Sequence, residues 1–440
     1  MKNFLINLCF VILVFAVGFF GVRLVNYQAD VRQLQGRIEE LEREQVHLQQ
    51  QVSLSTNKVV VVASPEDLRL EIEQTVSDRR GMMFRQPVRY QTVKRDELQQ
   101  ILVNESLVGW TPQEISDYTR ALEALGLVPG GTSLTNIWAS VCEGQRGAYY
   151  SWKDKTVYVE EDLDLTKSMG RVLLSRAIAH VLQDQNWGLA NLLQRTKDND
   201  DLNLARAAMV HGDALLVLTR MYSDNVDRAG LLRDIGALVA DRSERVRYAP
   251  AFIRESMLFP FQEGFRCWVR LEGRWQWGFQ GPTTTEQIYH PEKARLAASA
   301  QKDVYTPVAL TVVDSTTWRL IGNNVLGEFG IRQLFTTRLK QIDVEVAADG
   351  WDGDRYHVYE RGINGPTGVI WRTIWDTEID AEEFEEGYQD FARSAKVPAR
   401  IVRDGVFVTV VQSTHPSFDG LAQEALQRSG VTGFFQAALP

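Results

Sequence analysis

His180 and His211, each with an aspartate close by, are the residues whose types could do chemistry. The first lies in Ser175-Arg176-Ala177-Ile178-Ala179-His180-Val181-Leu182-Gln183-Asp184-Gln185, and His211-Gly212-Asp213-Ala214 follows, its histidine 31 residues after His180. Two imidazoles and a carboxylate are a donor set for an ion such as zinc. Hydrolysis at such an ion needs three ligands, an open position for water and a base to take its proton. Arg176, one helical turn before His180 on the same face, has five donors, no acceptor and a permanent charge, so it cannot ligate. Ala177 cannot be a base. His180 and His211 remain, with Asp184 or Asp213, as a set that could hold an adventitious ion. The plainer reading is that a histidine on an apolar helix is a hydrogen-bonded core residue.

The order of these residues resembles a family of bacterial membrane-anchored, gluzincin-like metallopeptidases, whose pattern runs H-E-x-x-H-x-L-Q-D-Q and later E-G-D-A. Further strings extend the resemblance from about residue 65 onward: Gly147-Ala148-Tyr149-Tyr150, Thr156-Val157-Tyr158-Val159, Thr285-Glu286-Gln287-Ile288-Tyr289-His290-Pro291-Glu292-Lys293, Leu326-Gly327-Glu328, Gly350-Trp351-Asp352-Gly353-Asp354-Arg355, and Trp375-Asp376-Thr377 with Asp380-Ala381-Glu382-Glu383-Phe384. The resemblance implies that Arg176 stands where the family has its first histidine, Ala177 where it has the glutamate base and His211 where it has the ligand glutamate, with His180 alone kept. It implies a pseudoprotease with no catalytic residue and no metal or other cofactor, acting as a scaffold for an extracytoplasmic protein partner. The alternative is a metal-dependent hydrolase using a non-standard site around His180, His211 and Asp213. In relatives the aspartate of E-G-D-A would orient a ligand histidine. Here Arg176 is expected to point into the former site and pair with Asp213, or failing that with another acid lining the pocket.

The rest of the chain must position this site outside the cytoplasm. Phe4 to Val22 is apolar apart from Asn7, and at helical rise it reaches about 28 Å, close to a bilayer core. Residues 1–23 therefore read as an uncleaved signal anchor in the cell membrane. A cleaved signal peptide would have a shorter apolar core and end in an A-x-A-like site, which Gly21-Val22-Arg23-Leu24 is not. From Leu24 a heptad places Leu24, Val31, Ile38, Gln45 and Val52 at a, and Tyr27, Leu34, Leu41 and Leu48 at d. That pattern predicts a coiled-coil stalk over 24–56 and a homodimer through residues 24–54. The competing reading is an amphipathic helix docked on the chain's own domain.

Ser64-Pro65-Glu66-Asp67 opens the soluble part. The fold class expected there is α+β: a mainly helical zincin-like domain over 65–300 and an α+β subdomain with an antiparallel sheet over 301–440. Helices are expected at 65–78, 95–103, 112–126, 166–186, 200–223 and near 228–240. A strand is expected at 156–160, then a turn through Pro250, Phe259-Pro260-Phe261 and a helix into the aromatics Trp268, Trp275, Trp277 and Phe279. Beyond residue 300 the order is helix 324–339, strands 354–361 and 367–376, helix 380–395, strands 398–403 and 406–413, and a terminal helix from 417, with the helices on one sheet face. His290 reads as packing, and the acids of Gly350 to Arg355 as turn chemistry rather than a calcium loop. At 440 residues and 44% hydrophobic the chain can bury a large core. A net charge of −9 without a basic cluster argues against a nucleic-acid partner. Of three cysteines, only Cys142 and Cys267 could pair, and spacing does not decide whether they do.

Overall fold

A computed structural model describes residues 64–440 apart from 107–108, 144–145, 222–232, 235, 238–243, 245, 272–281, 298–304, 432–433 and 435–440. The expected anchor, the stalk, Trp275, Trp277, Phe279 and most of the helix near 228–240 lie outside the described residues. Among the described residues no helix is long and apolar enough to cross a membrane. Pro65–Pro440 form one compact unit of mixed α+β structure.

The first half sets helices around a small sheet. Helix α1 (Pro65–Arg80) precedes strand β1 (Tyr90–Val93), then α2 (Arg95–Ser106), α3 (Pro112–Leu125) and α4 (Leu134–Glu143). Strands β2 (Ala148–Ser151) and β3 (Thr156–Glu160) complete a three-stranded sheet of order β1-β3-β2, with β1 parallel and β2 antiparallel to β3. Next come α5 (Ser168–Trp187), the short α6 (Leu189–Leu193), α7 (Asp200–Met221) and α8 (Ala251–Arg270). Helix α5 carries Val172, Ile178, Ala179, Val181, Leu182 and Trp187 buried around most of its circumference, as a central helix must. One sheet face packs on it through Ala148, Tyr150, Val157 and Val159, and Ile72, Val76, Val210, Ala214 and Val217 close the same cluster.

Two glycines set how closely α7 and α8 cross. A Cβ on Gly212 would collide with the Gly264 backbone, and one on Gly264 with the backbone of Ala208. The two backbones touch there, and the contact places Phe261 of α8 against His211 of α7, rings stacked at 4.6 Å. The sequence places a helix only after Phe259-Pro260-Phe261; instead α8 runs from Ala251 through Pro260 to Arg270. Helix burial of Phe259, Pro260 and Phe261 outweighs the one hydrogen bond that proline forfeits.

The second half contains α9 (Thr285–Tyr289), α10 (Pro291–Ala297), β4 (Arg319–Asn324), α11 (Gly327–Thr336), α12 (Gln341–Ala348), β5 (Trp351–Glu360), β6 (Thr367–Trp375), α13 (Glu378–Ala395), β7 (Ala399–Asp404), β8 (Phe407–Ser413) and α14 (Phe418–Arg428). Its five-stranded sheet has order β4-β5-β6-β8-β7 and is antiparallel throughout. The expected helix 324–339 is shorter, because residues 319–324 form the edge strand β4. The expectation of helices on one sheet face is also corrected. Trp371, Val369 and Val358 face α13 in the main core, while Ile370, Tyr359 and Val411 face α14 on the other side. Strands β5 and β6 are buried on both faces, so their sequences run apolar without clean alternation. Cys142 and Cys267 are both buried in separate core clusters and do not pair with each other.

His357, on β5 opposite Ile370, is fully buried, and among the described residues neither ring nitrogen has a hydrogen-bond partner. Burial, with the Arg355 charge nearby, pushes its pKa down to about 4 from the ordinary 6.5. An unfolded chain takes up a proton below 6.5 that the folded chain refuses until about 4, so folding stability is lost as pH falls across that window. His357→Leu is expected to raise the urea midpoint, since a buried unsatisfied polar ring is removed, and its advantage should widen as pH falls from 6.5 toward 4. An advantage that is constant with pH would show that His357 does not titrate in this way.

Candidate functional site

Arg176, Ala177 and His180 occupy one stretch of α5 and, together with His211 of α7, line a cavity of ≈ 390 Å³. A second cavity of ≈ 480 Å³ shares Trp138, Leu193, Arg195, His211, Met257 and Phe261 with it. The rings of His180 and His211 stand 5.2 Å apart at an interplanar angle of 85°. The structure thus brings together the four positions that the sequence singled out.

The polar frame behind them is continuous. His180 Nδ1 lies 2.7 Å from Gln183 Oε1. Gln183 Nε2 donates to Val210 O at 3.0 Å and to Asp213 Oδ2 at 2.8 Å, so its other terminal atom is the oxygen and must accept. His180 therefore carries its proton on Nδ1, leaving Nε2 as the ring's acceptor. Burial pushes its pKa down to about 4, and the Arg176 charge acts in the same direction. At neutral pH His180 is an uncharged imidazole.

Asp213 does not pair with Arg176. It is fully buried and receives Arg80 of α1, whose Nε lies 3.0 Å from Oδ1 and 3.1 Å from Oδ2. The Arg80 guanidinium lies over the ring of Trp187 at 4.7 Å. The expected Arg176–Asp213 pair is thus replaced by one between residues 133 apart in sequence. No described carboxylate lines the ≈ 390 Å³ cavity. Burial raises the Asp213 pKa and Arg80 opposes that shift. Asp184 is also engaged: it accepts from Tyr150 at 2.5 Å, Lys155 at 2.7 Å and the Leu189 backbone at 2.8 Å, which ties the end of α5 to the β2–β3 hairpin. Among the described residues His180, His211 and Asp213 do not gather as three metal ligands.

The strings from Thr285 onward meet elsewhere, in a separate polar region. Asp354 accepts from the Leu326 and Gly327 backbones at 3.0 and 2.9 Å and from the Trp351 and Trp371 indoles at 3.1 and 2.9 Å. Those donors occupy its carboxylate and hold the start of α11, so its role is internal. Lys293 bridges Glu286 and Asp376, 2.6 Å from each. His290 is more than packing: its Nε2 lies 3.2 Å from Glu328 Oε1 and 3.4 Å from Asp349 Oδ1. The hydrogen bond to Glu328 raises its pKa, partly opposed by burial.

Arg80 and Gln183 were not foreseen as part of the frame. Gln183 sits within the quoted string, but nothing local points Arg80 toward residue 213; a basic residue in the last turn of a helix is ordinarily explained by its own helix end.

A family model described as Domain of unknown function (DUF8575) matches residues 317–430, the segment from β4 through α14. No curated protein and no solved structure matches the chain.

Proposed function

We propose that the chain is a non-catalytic, gluzincin-like pseudoprotease that serves as a membrane-anchored scaffold or binding protein outside the cytoplasm. The observation that carries this reading is the make-up of the cavity wall: Arg176 and Ala177 stand beside His180 and opposite His211, where a peptidase of this class needs a histidine, a glutamate base and a glutamate ligand. A guanidinium at that wall disfavours a divalent ion. Asp213, the acid that the alternative hydrolase would need, is committed to Arg80 and Gln183. The cavity itself is kept, at a volume within the roughly 300–1,000 Å³ of ligand sites, which favours binding over a purely structural remnant. The anchor and the 24–54 homodimer belong to the same proposal and rest on the sequence pattern alone.

The full chain is expected to leave unfolded casein uncut with zinc added, and Ala177→Glu alone should not change that, because Arg176 would still occupy a ligand position. Chelator-sensitive cleavage by the unmodified chain would sink the pseudoprotease reading in favour of the hydrolase.

A further inference from the structure

We infer that His290, Glu328 and Asp349 form a binding site for a divalent transition-metal ion of the zinc class, separate from the α5–α7 cavity. His290 ends α9, Glu328 lies in the first turn of α11 and Asp349 ends α12, so the fold draws the three together from separate elements. Each offers a donor atom, and the three lie within 4.8 Å of one another.

Three further observations support an ion rather than a chance cluster of acids. Glu328 is fully buried, yet its Oε2 has no hydrogen-bond donor among the described residues. Its Oε1 is already held by Arg332, whose Nε and Nη2 each lie 2.6 Å away. A buried carboxylate oxygen without a partner is costly, and a bound cation would supply one. The spacing is also suitable. Zinc–nitrogen and zinc–oxygen bonds of about 2.0–2.2 Å at a tetrahedral angle set ligand atoms about 3.4 Å apart. His290 Nε2 stands 3.4 Å from Asp349 Oδ1 and 3.2 Å from Glu328 Oε1, the Arg332-bound oxygen of the carboxylate whose other oxygen is unpartnered.

The local charge agrees with a divalent ion. Glu328, Asp349 and Glu292, whose Oε1 lies 3.6 Å from His290 Nδ1, give three negative charges, and Arg332 gives one positive, a balance of −2 with His290 neutral. Lys293, the nearest lysine in sequence, is turned to Glu286 and Asp376 instead. An imidazole with two carboxylates suits zinc, cobalt or manganese over calcium, which takes six to eight oxygens. Asp349 is 60% exposed, so the remaining coordination position opens to water.

The inference does not rest on the pseudoprotease reading, and one set of variants separates them. Chelator-treated full chain is titrated with Zn²⁺ by calorimetry and with Co²⁺ by visible absorbance. One saturable site is expected, with a thermal midpoint that rises on zinc addition. His290→Ala and Asp349→Asn should each weaken binding roughly 10-fold or more. Glu292→Gln and the double variant His180→Ala, His211→Ala should retain it. The exposed Asp349 variant keeps the test usable if the His290 variant folds poorly. Absence of saturable uptake, or uptake untouched by Asp349→Asn, would overturn the site; uptake abolished by the His180, His211 pair alone would instead move the metal to the α5–α7 cavity.

Discussion

Arg80→Ala is expected to cost about 3–5 kcal/mol of folding stability. The side chains of Arg80 and Asp213 are 1% and 0% exposed, so removing the cation leaves a carboxylate that water cannot reach. Gln183 alone would then remain among its side-chain donors. The guanidinium also lies 4.7 Å from the Trp187 ring and 5.9 Å from that of Trp268, contacts that add packing and cation–π attraction to the loss. Arg80→Met with Asp213→Leu should recover most of the stability, since a matched apolar pair leaves no uncompensated charge. Urea denaturation of the three proteins measures this. A loss of less than about 1 kcal/mol for Arg80→Ala would place the pair in the range of solvated ion pairs and remove it as an anchor of α1 on α7.

That pair also shows where sequence reasoning ends. Local patterns were readable. Thr111-Pro112-Gln113-Glu114 opens α3 with a reciprocal cap, Glu114 N donating to Thr111 Oγ1 at 3.2 Å and Thr111 N to Glu114 Oε2 at 2.8 Å. Arg403-Asp404-Gly405 turns β7 into β8, with Gly405 at φ 59°. Strand β4 was missed because Gly322-Asn323-Asn324 has almost no strand character in isolation. Its glycine is needed where the strand passes close to Ala121 of α3. The four positions at the cavity were placed correctly because i, i+4 spacing fixes one helix face and motif order supplies the second helix. The charge partners were not, because Arg80 and Asp213, or His290 and Glu328, meet only once the helices have packed.

The other large effect expected is a gain of metal. Arg176→His, Ala177→Glu and His211→Glu combined, in a His290→Ala background that disables the second candidate site, should give a chain that retains about one zinc per molecule, where the His290→Ala parent retains none. Helical spacing would set the imidazole introduced at 176 one turn from His180 on the cavity face. His180 is ready to ligate, since its Nδ1 proton is committed to Gln183 and Nε2 carries the lone pair. The distance between positions 180 and 211 is also right. The ring centres of His180 and His211 stand 5.2 Å apart, so side chains from these two positions reach a common point where one ion could sit. The carboxylate introduced at buried Ala177 has the ≈ 390 Å³ cavity to enter, because Ala177 already lines it. Ala177→Glu alone in the same background should retain no zinc, since Arg176 places a positive charge where the ion would sit. Zinc per chain, measured after gel filtration, decides the matter without requiring that hydrolysis return. A folded triple variant that retains none would mean that the α5–α7 crossing lacks a zincin's geometry, and Arg176 could then no longer be read as standing in a ligand's place.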